Sequence, residues 1–140
     1  FDISAALERR LKALRVQIMR DRAVSLDIRD GAVQGVAGER GSYPAEAVVL
    51  ATGGGAVLRR ENRTLLKGSG LVIFLDRSPW AIRRTLRRQG RPLLTDDDAI
   101  FRLYRQRRSL YRAAAHHAVN KPTARQAAEE AVRLWREEQQ

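Results

Sequence analysis

Hydrophobic and polar positions change rhythm twice along this chain. Leu7, Leu11 and Leu14 recur at helical spacing, predicting a helix over 5–14 with Asp2 or Ser4 as its cap. Val16–Met19 reads as a short strand. Val24, Leu26 and Ile28 then alternate with Ser25, Asp27 and Arg29, the pattern of a half-buried strand. Asp30-Gly31 is a two-residue hairpin turn leading into a strand over 32–36, and a second turn follows at 39–42. Ala47–Ala51 is apolar throughout, as in a parallel strand covered on both faces, and Thr52-Gly53-Gly54-Gly55 ends it.

Beyond the glycines the rhythm is α/β. A helix is expected over 61–67, stopped by Gly68 and Gly70, and Leu71–Leu75 is a second apolar strand. Ser78-Pro79 pairs an N-cap with a proline at the first helical position, opening a helix to about residue 88 that Gln89-Gly90-Arg91-Pro92 breaks. Thr95 or Asp96 caps a longer helix with Ile100, Leu103, Tyr104, Leu110 and Tyr111 inward. A short strand over 116–120 precedes a last helix, opened by Thr123, with Ala127, Ala131, Leu134 and Trp135 on its apolar face.

Composition narrows the possibilities. The 140 residues are 44% hydrophobic and 31% charged, typical of a globular chain, and no apolar run reaches the ~18 residues of a membrane span. Absence of cysteine excludes disulfides, cysteine-based metal sites and thiol catalysis, and fits a reducing, cytoplasmic setting. Phe1 in place of an initiator Met is what a fragment with a missing upstream part presents. The net charge of +11 is uneven. Residues 1–50 hold eight Lys/Arg against seven Asp/Glu, residues 51–140 nineteen against nine, and 24 of the 27 bases are Arg. Planar guanidinium forks suit phosphate and carboxylate, so an anionic small molecule and a nucleic acid are both candidate partners.

Other groups read as structural. Arg83, Arg84, Arg87 and Arg88 fit a solvated helix face. His116-His117 lacks nearby metal-ligating companions, and Asp96-Asp97-Asp98 fits the first turn of a helix better than a metal site. Tyr104 and Tyr111 fall at core spacing.

Four ordered blocks carry a resemblance: Ala51-Thr52-Gly53-Gly54-Gly55-Ala56-Val57 with Glu61-Asn62-Arg63, Leu71-Val72-Ile73-Phe74-Leu75-Asp76, Arg91-Pro92-Leu93-Leu94, and Arg107-Arg108-Ser109-Leu110-Tyr111-Arg112. From about residue 51 to 135 the chain resembles the shikimate kinase family. The resemblance implies ATP-dependent phosphorylation of the shikimate 3-hydroxyl, with Mg²⁺, in aromatic amino acid biosynthesis. It also implies that Gly53, Gly54 and Gly55 bring backbone against shikimate and that Arg107 holds its carboxylate. Arg91, on a lid over the ATP phosphates, takes the catalytic and nucleotide-binding role.

The G-x-x-x-x-G-K-[ST] phosphate loop of that family is absent from the 140 residues, which implies impaired catalysis. Residues 1–54 resemble a different family, the Rossmann-type FAD flavoproteins. The likeness lies in Ala13-Leu14-Arg15-Val16-Gln17-Ile18, in Asp30-Gly31-Ala32-Val33-Gln34-Gly35-Val36, and in the run from Tyr43 to Gly54. Their G-x-G-x-x-G element is missing too, so FAD binding is not expected. The two resemblances meet at Ala51-Thr52-Gly53-Gly54, as in a chimera or fragment. The expected fold is therefore α/β: an incomplete P-loop-kinase-like parallel sheet with helices over 51–140, preceded over 1–50 by a flavoprotein-like helix and β-meander. A fragment of an FAD-dependent oxidoreductase and an Arg-rich nucleic-acid-binding protein are the alternatives in function.

Overall fold

The computed structural model describes residues 11–85, 96 and 98–140, and the chain divides into two compact units, 1–51 and 52–140. The expected caps Asp2 and Ser4, Arg91 with its expected lid role, and the alternative cap Thr95 lie outside the described residues, as does most of the helix expected over 5–14. Its described end, Leu11–Ala13, is helical and closes with Arg15 at φ 57°.

The first unit is built on a three-stranded antiparallel meander: β1 (Ala23–Arg29), β2 (Ala32–Gly38) and β3 (Ser42–Pro44). Asp30 and Gly31 both have positive φ, 52° and 77°, the geometry whose twist matches a two-residue hairpin. The turn sets the β1–β2 register from Arg29↔Ala32 to Ala23↔Gly38. Asp21 ties the chain ahead of β1 to the far strand: its carboxylate accepts from the Tyr43 hydroxyl at 2.6 Å and from the Arg40 amide at 3.1 Å. The Tyr43 hydrogen bond holds the Asp21 carboxyl below the usual carboxylate range.

Two sequence expectations fail here. Val16–Met19 is not a strand, and Ala47–Ala51 is not one either. A parallel strand of apolar residues needs ladder partners and a covering layer on each face. No described strand pairs with 47–51, and Val49 is 94% exposed. The alternating residues Val24 and Ile28 are exposed as well, so β1 is less covered than its pattern suggests.

The second unit is α/β, with a parallel sheet and helices. A 3₁₀ turn (Ala56–Leu58) follows the glycines and leads into α1 (Arg60–Gly68), β4 (Ile73–Leu75), α2 (Pro79–Thr85), α3 (Ala99–Ala114), β5 (His117–Val119) and α4 (Ala124–Glu137). β4 and β5 pair in parallel, with Ile73 opposite His117 and Leu75 opposite Val119, and α2 and α3 lie in the crossover between them. The strand expected over 71–75 is thus three residues long and half-buried, with Leu75 exposed.

Helix starts follow the sequence. The Ser78 hydroxyl accepts from the Ala81 amide at 3.2 Å ahead of Pro79, and Thr123 accepts from the Gln126 amide at 3.2 Å. Asp96 accepts from the Asp98 amide at 2.9 Å and grips the Arg102 guanidinium with both oxygens, while Asp98 is the residue that flanks α3. Helices α1 and α2 pack on α3, and α4 packs on β5. Among the described residues, Val57, Ala99, Ala114, Val119 and Leu134 form the buried apolar centre, and the charged residue Asp76 is buried as well.

Candidate functional site

Helix α3 presents two adjoining faces, and each grips a different loop. On one face lie Arg107 and Tyr111, a helical turn apart. The Tyr111 hydroxyl donates to the Gly54 carbonyl at 2.8 Å, and Arg107 Nη1 approaches the same oxygen at 3.5 Å. The Tyr111 ring stacks on Phe74 of β4 with centroids 5.1 Å apart, so the helix is fixed to the sheet at this point. A Cβ added to Gly54 would sit 2.8 Å from the Tyr111 hydroxyl, which is why the close approach requires glycine there. Gly53 and Gly55 have open space at the same position, and all three glycines are exposed.

The segment after the glycines is held by side chains reaching back from α1. Asn62 Nδ2 donates to the Ala56 carbonyl at 2.9 Å, and Arg63 Nη1 donates to the Val57 and Leu58 carbonyls at 2.7 and 3.1 Å. Asn62 and Arg63 thus satisfy carbonyls of the 3₁₀ turn.

On the adjoining face lie Tyr104, Arg108 and Arg112, which converge on Asp76 at the carboxyl end of β4. Asp76 is 3% exposed. One of its oxygens accepts from the Tyr104 hydroxyl at 2.7 Å. The other accepts from Arg108 Nη2 at 3.0 Å, Arg108 Nε at 3.3 Å and Arg112 Nη2 at 3.4 Å. Its amide donates to the Val119 carbonyl at 2.9 Å, joining the cluster to β5. Burial pushes the Asp76 carboxyl up, but the Tyr104 hydroxyl and the Arg108 and Arg112 guanidiniums outweigh it and hold the group below its ordinary value. The same neighbourhood raises Tyr104, by burial first and then by the Asp76 carboxylate, and raises Arg108 through its hydrogen bond to Asp76.

Of the sequence-derived site residues, Gly54 and Arg107 are brought together across 53 positions of chain. Gly53 and Gly55 flank them without a side-chain neighbour. Arg91 lies outside the described residues. Tyr104 and Tyr111, expected as plain core, each spend a hydroxyl on this region, and Asp76 was not singled out by spacing at all. The available signal for Asp76 was an acidic residue directly after an apolar strand, at the carboxyl end where open α/β sheets gather their ligands. His116 Nδ1 accepts from the Val72 amide at 3.0 Å, and His117 Nε2 lies 3.4 Å from Glu138. Among the described residues no group of three His, Cys, Asp or Glu is placed to hold a metal ion. Nor is any described helix long and apolar enough to cross a membrane.

What this geometry offers is a guanidinium beside a run of exposed glycine backbone, an arrangement able to take a carboxylate.

Comparison with known proteins bears on the same region. Residues 42–136 match the family model for shikimate kinase, beginning within β3 and ending in α4. The shikimate kinase of Burkholderia thailandensis is 47% identical over 78 residues, covering 53% of this chain and 42% of that protein. That of Thioalkalivibrio sulfidiphilus is 41% identical over 97 residues, covering 65% and 51%. A solved shikimate kinase from Acinetobacter baumannii, in complex with shikimate, superposes with a TM-score of 0.57 at 35% identity, over 64% of this chain and 54% of that one. The chain therefore spans about half the length of the relatives it matches. With its glycine run, Arg107 and the parallel β4–β5 pair all inside the matched region, the chain belongs to the shikimate kinase family.

Proposed function

We propose that residues 52–140 form the acceptor-binding part of a shikimate kinase, taking the shikimate carboxylate on Arg107 and laying its ring against the backbone of Gly53, Gly54 and Gly55. The observation that carries this reading is the approach of Arg107 Nη1 to within 3.5 Å of the Gly54 carbonyl oxygen, across 53 positions of chain. The half-length coverage of the relatives makes the complete reaction, ATP-dependent phosphorylation of the shikimate 3-hydroxyl, part of the proposal too.

The residues present fit the acceptor and do not fit the nucleotide. The sequence has no G-x-x-x-x-G-K-[ST] loop, whose amides and Lys would cradle the ATP phosphates and whose hydroxyl would hold Mg²⁺. Arg91 is the residue that the family likeness assigns to those phosphates, and a single guanidinium does not replace the loop. These 140 residues are expected to bind shikimate and to fall far short of a complete kinase. FAD is not expected as a ligand, because the flavin phosphate loop is equally absent.

A titration of the whole chain tests this, using shikimate, MgATP and a short DNA duplex, each at two salt concentrations. Shikimate binding is expected, with Arg107→Ala weakening it about tenfold or more, since a charge-assisted hydrogen bond contributes roughly 1.5–3 kcal/mol. Duplex binding with a steep salt dependence and no response to shikimate would replace this reading with the nucleic-acid one.

A further inference from the structure

We propose that Tyr111 is a positioning residue: its hydroxyl occupies the Gly54 carbonyl oxygen and thereby keeps the Arg107 guanidinium available to a ligand carboxylate. The ligand named here rests on the shikimate-binding reading, whereas the geometry does not.

Three observations carry it. The Gly54 carbonyl has two donors within reach, and Tyr111 holds the short bond, 2.8 Å, while Arg107 stands off at 3.5 Å. The 3.5 Å contact is at the edge of hydrogen-bonding distance and contributes little as it stands. Tyr111 and Arg107 are one turn apart on α3, so both side chains reach the Gly54 carbonyl from the same face of the helix. The Tyr111 ring is fixed from behind by its stack on Phe74, which aims the hydroxyl at Gly54 independently of any ligand.

A carbonyl that loses its donor takes the nearest replacement. With the Tyr111 hydroxyl removed, Arg107 Nη1 is, among the described residues, the side-chain donor that remains beside the Gly54 oxygen, and a shift of under 1 Å from 3.5 Å would make that bond short. A guanidinium drawn onto its own backbone offers a poorer fork to a carboxylate, because bidentate recognition needs two parallel N–H groups directed outward. The phenol therefore acts through Arg107. It need not touch the ligand itself.

Tyr111→Phe in the full chain tests the idea, since the ring and its stack on Phe74 are retained. Without ligand, ¹⁵N NMR should show the Gly55 amide shifted, because its peptide bond contains the Gly54 carbonyl, and rotation of the Arg107 guanidinium slowed. Unchanged Arg107 rotation, as when water takes over the carbonyl, overturns the inference whatever happens with shikimate. With ligand, Tyr111→Phe should weaken shikimate about three- to tenfold, leave shikimate methyl ester unaffected, and add nothing in an Arg107→Ala background. An equal loss for acid and ester would make Tyr111 merely structural and refute the positioning role. If the unmutated chain binds neither compound, the acceptor reading fails, and the NMR arm alone decides this inference.

Discussion

Replacing Asp76 with Asn removes one negative charge from a site where the carboxylate is almost fully buried and two of its partners are half exposed. The Asp76 side chain is 4% accessible, against 41% for Arg108 and 55% for Arg112. Breaking a wholly buried pair costs about 3–5 kcal/mol, but exposure of the two guanidiniums lets water and salt compensate part of the loss. Asn also retains an acceptor for the Tyr104 hydroxyl while turning a donor group towards the arginines. Together these give a loss of about 2 kcal/mol, or roughly 10 °C in Tm for a unit of this size. Urea unfolding of both proteins measures it, followed through the aromatic signal of the second unit. The pH dependence supplies the sharper check. A carboxyl held below its ordinary value in the folded state stabilises above the unfolded pKa of about 3.9, and the stabilisation is lost as pH falls through the lower folded value. The gap between wild type and Asp76→Asn should therefore be constant from pH 7 to about 5 and shrink below about 4. A gap that stays the same down to pH 3, or one under 0.5 kcal/mol at pH 7, would refute the ion-pair account of this cluster.

Other substitutions probe separate links. Thr123→Ala removes the acceptor for the Gln126 amide at the start of α4 and should lower stability by about 1 kcal/mol, with loss of helical circular dichroism at lower urea concentrations. Gly35→Ala drives a Cβ onto the Tyr43 carbonyl in the neighbouring strand, so it should destabilise the meander by more than about 1 kcal/mol, seen as faster amide exchange across β2 and β3. Gly54→Ala places a methyl group 2.8 Å from the Tyr111 hydroxyl, and calorimetry should show weakened shikimate binding, whereas Gly55→Ala, with open space around it, should change binding far less.

Legibility in the sequence followed how local the deciding physics was. The Asp30-Gly31 hairpin, the Ser78-Pro79 start and the Thr123 cap depend on a few neighbouring residues, and each stands where its signature lies. Ala47–Ala51 failed for the opposite reason: an apolar run becomes a strand only when other chain segments pair with it and cover it, and those partners are not a property of the run. The site divides the same way. Gly54 and Arg107 emerged through family likeness, because no local rule joins residues 53 positions apart. Asp76, Tyr104 and Tyr111 stayed hidden because aromatic and acidic residues at helical or strand-end spacing look the same whether they fill a core or hold a loop. The distinction lies in where a hydroxyl or carboxylate ends up. In α3 that outcome is organised by rotation: residues 104, 108 and 112 meet Asp76, residues 107 and 111 meet Gly54, and the faces are one position out of phase. Both grips belong to one helix, so a rotation of α3 would change them together. Loss of the Asp76 charge is therefore expected to loosen the Arg107 and Tyr111 contacts with Gly54 as well as to lower stability.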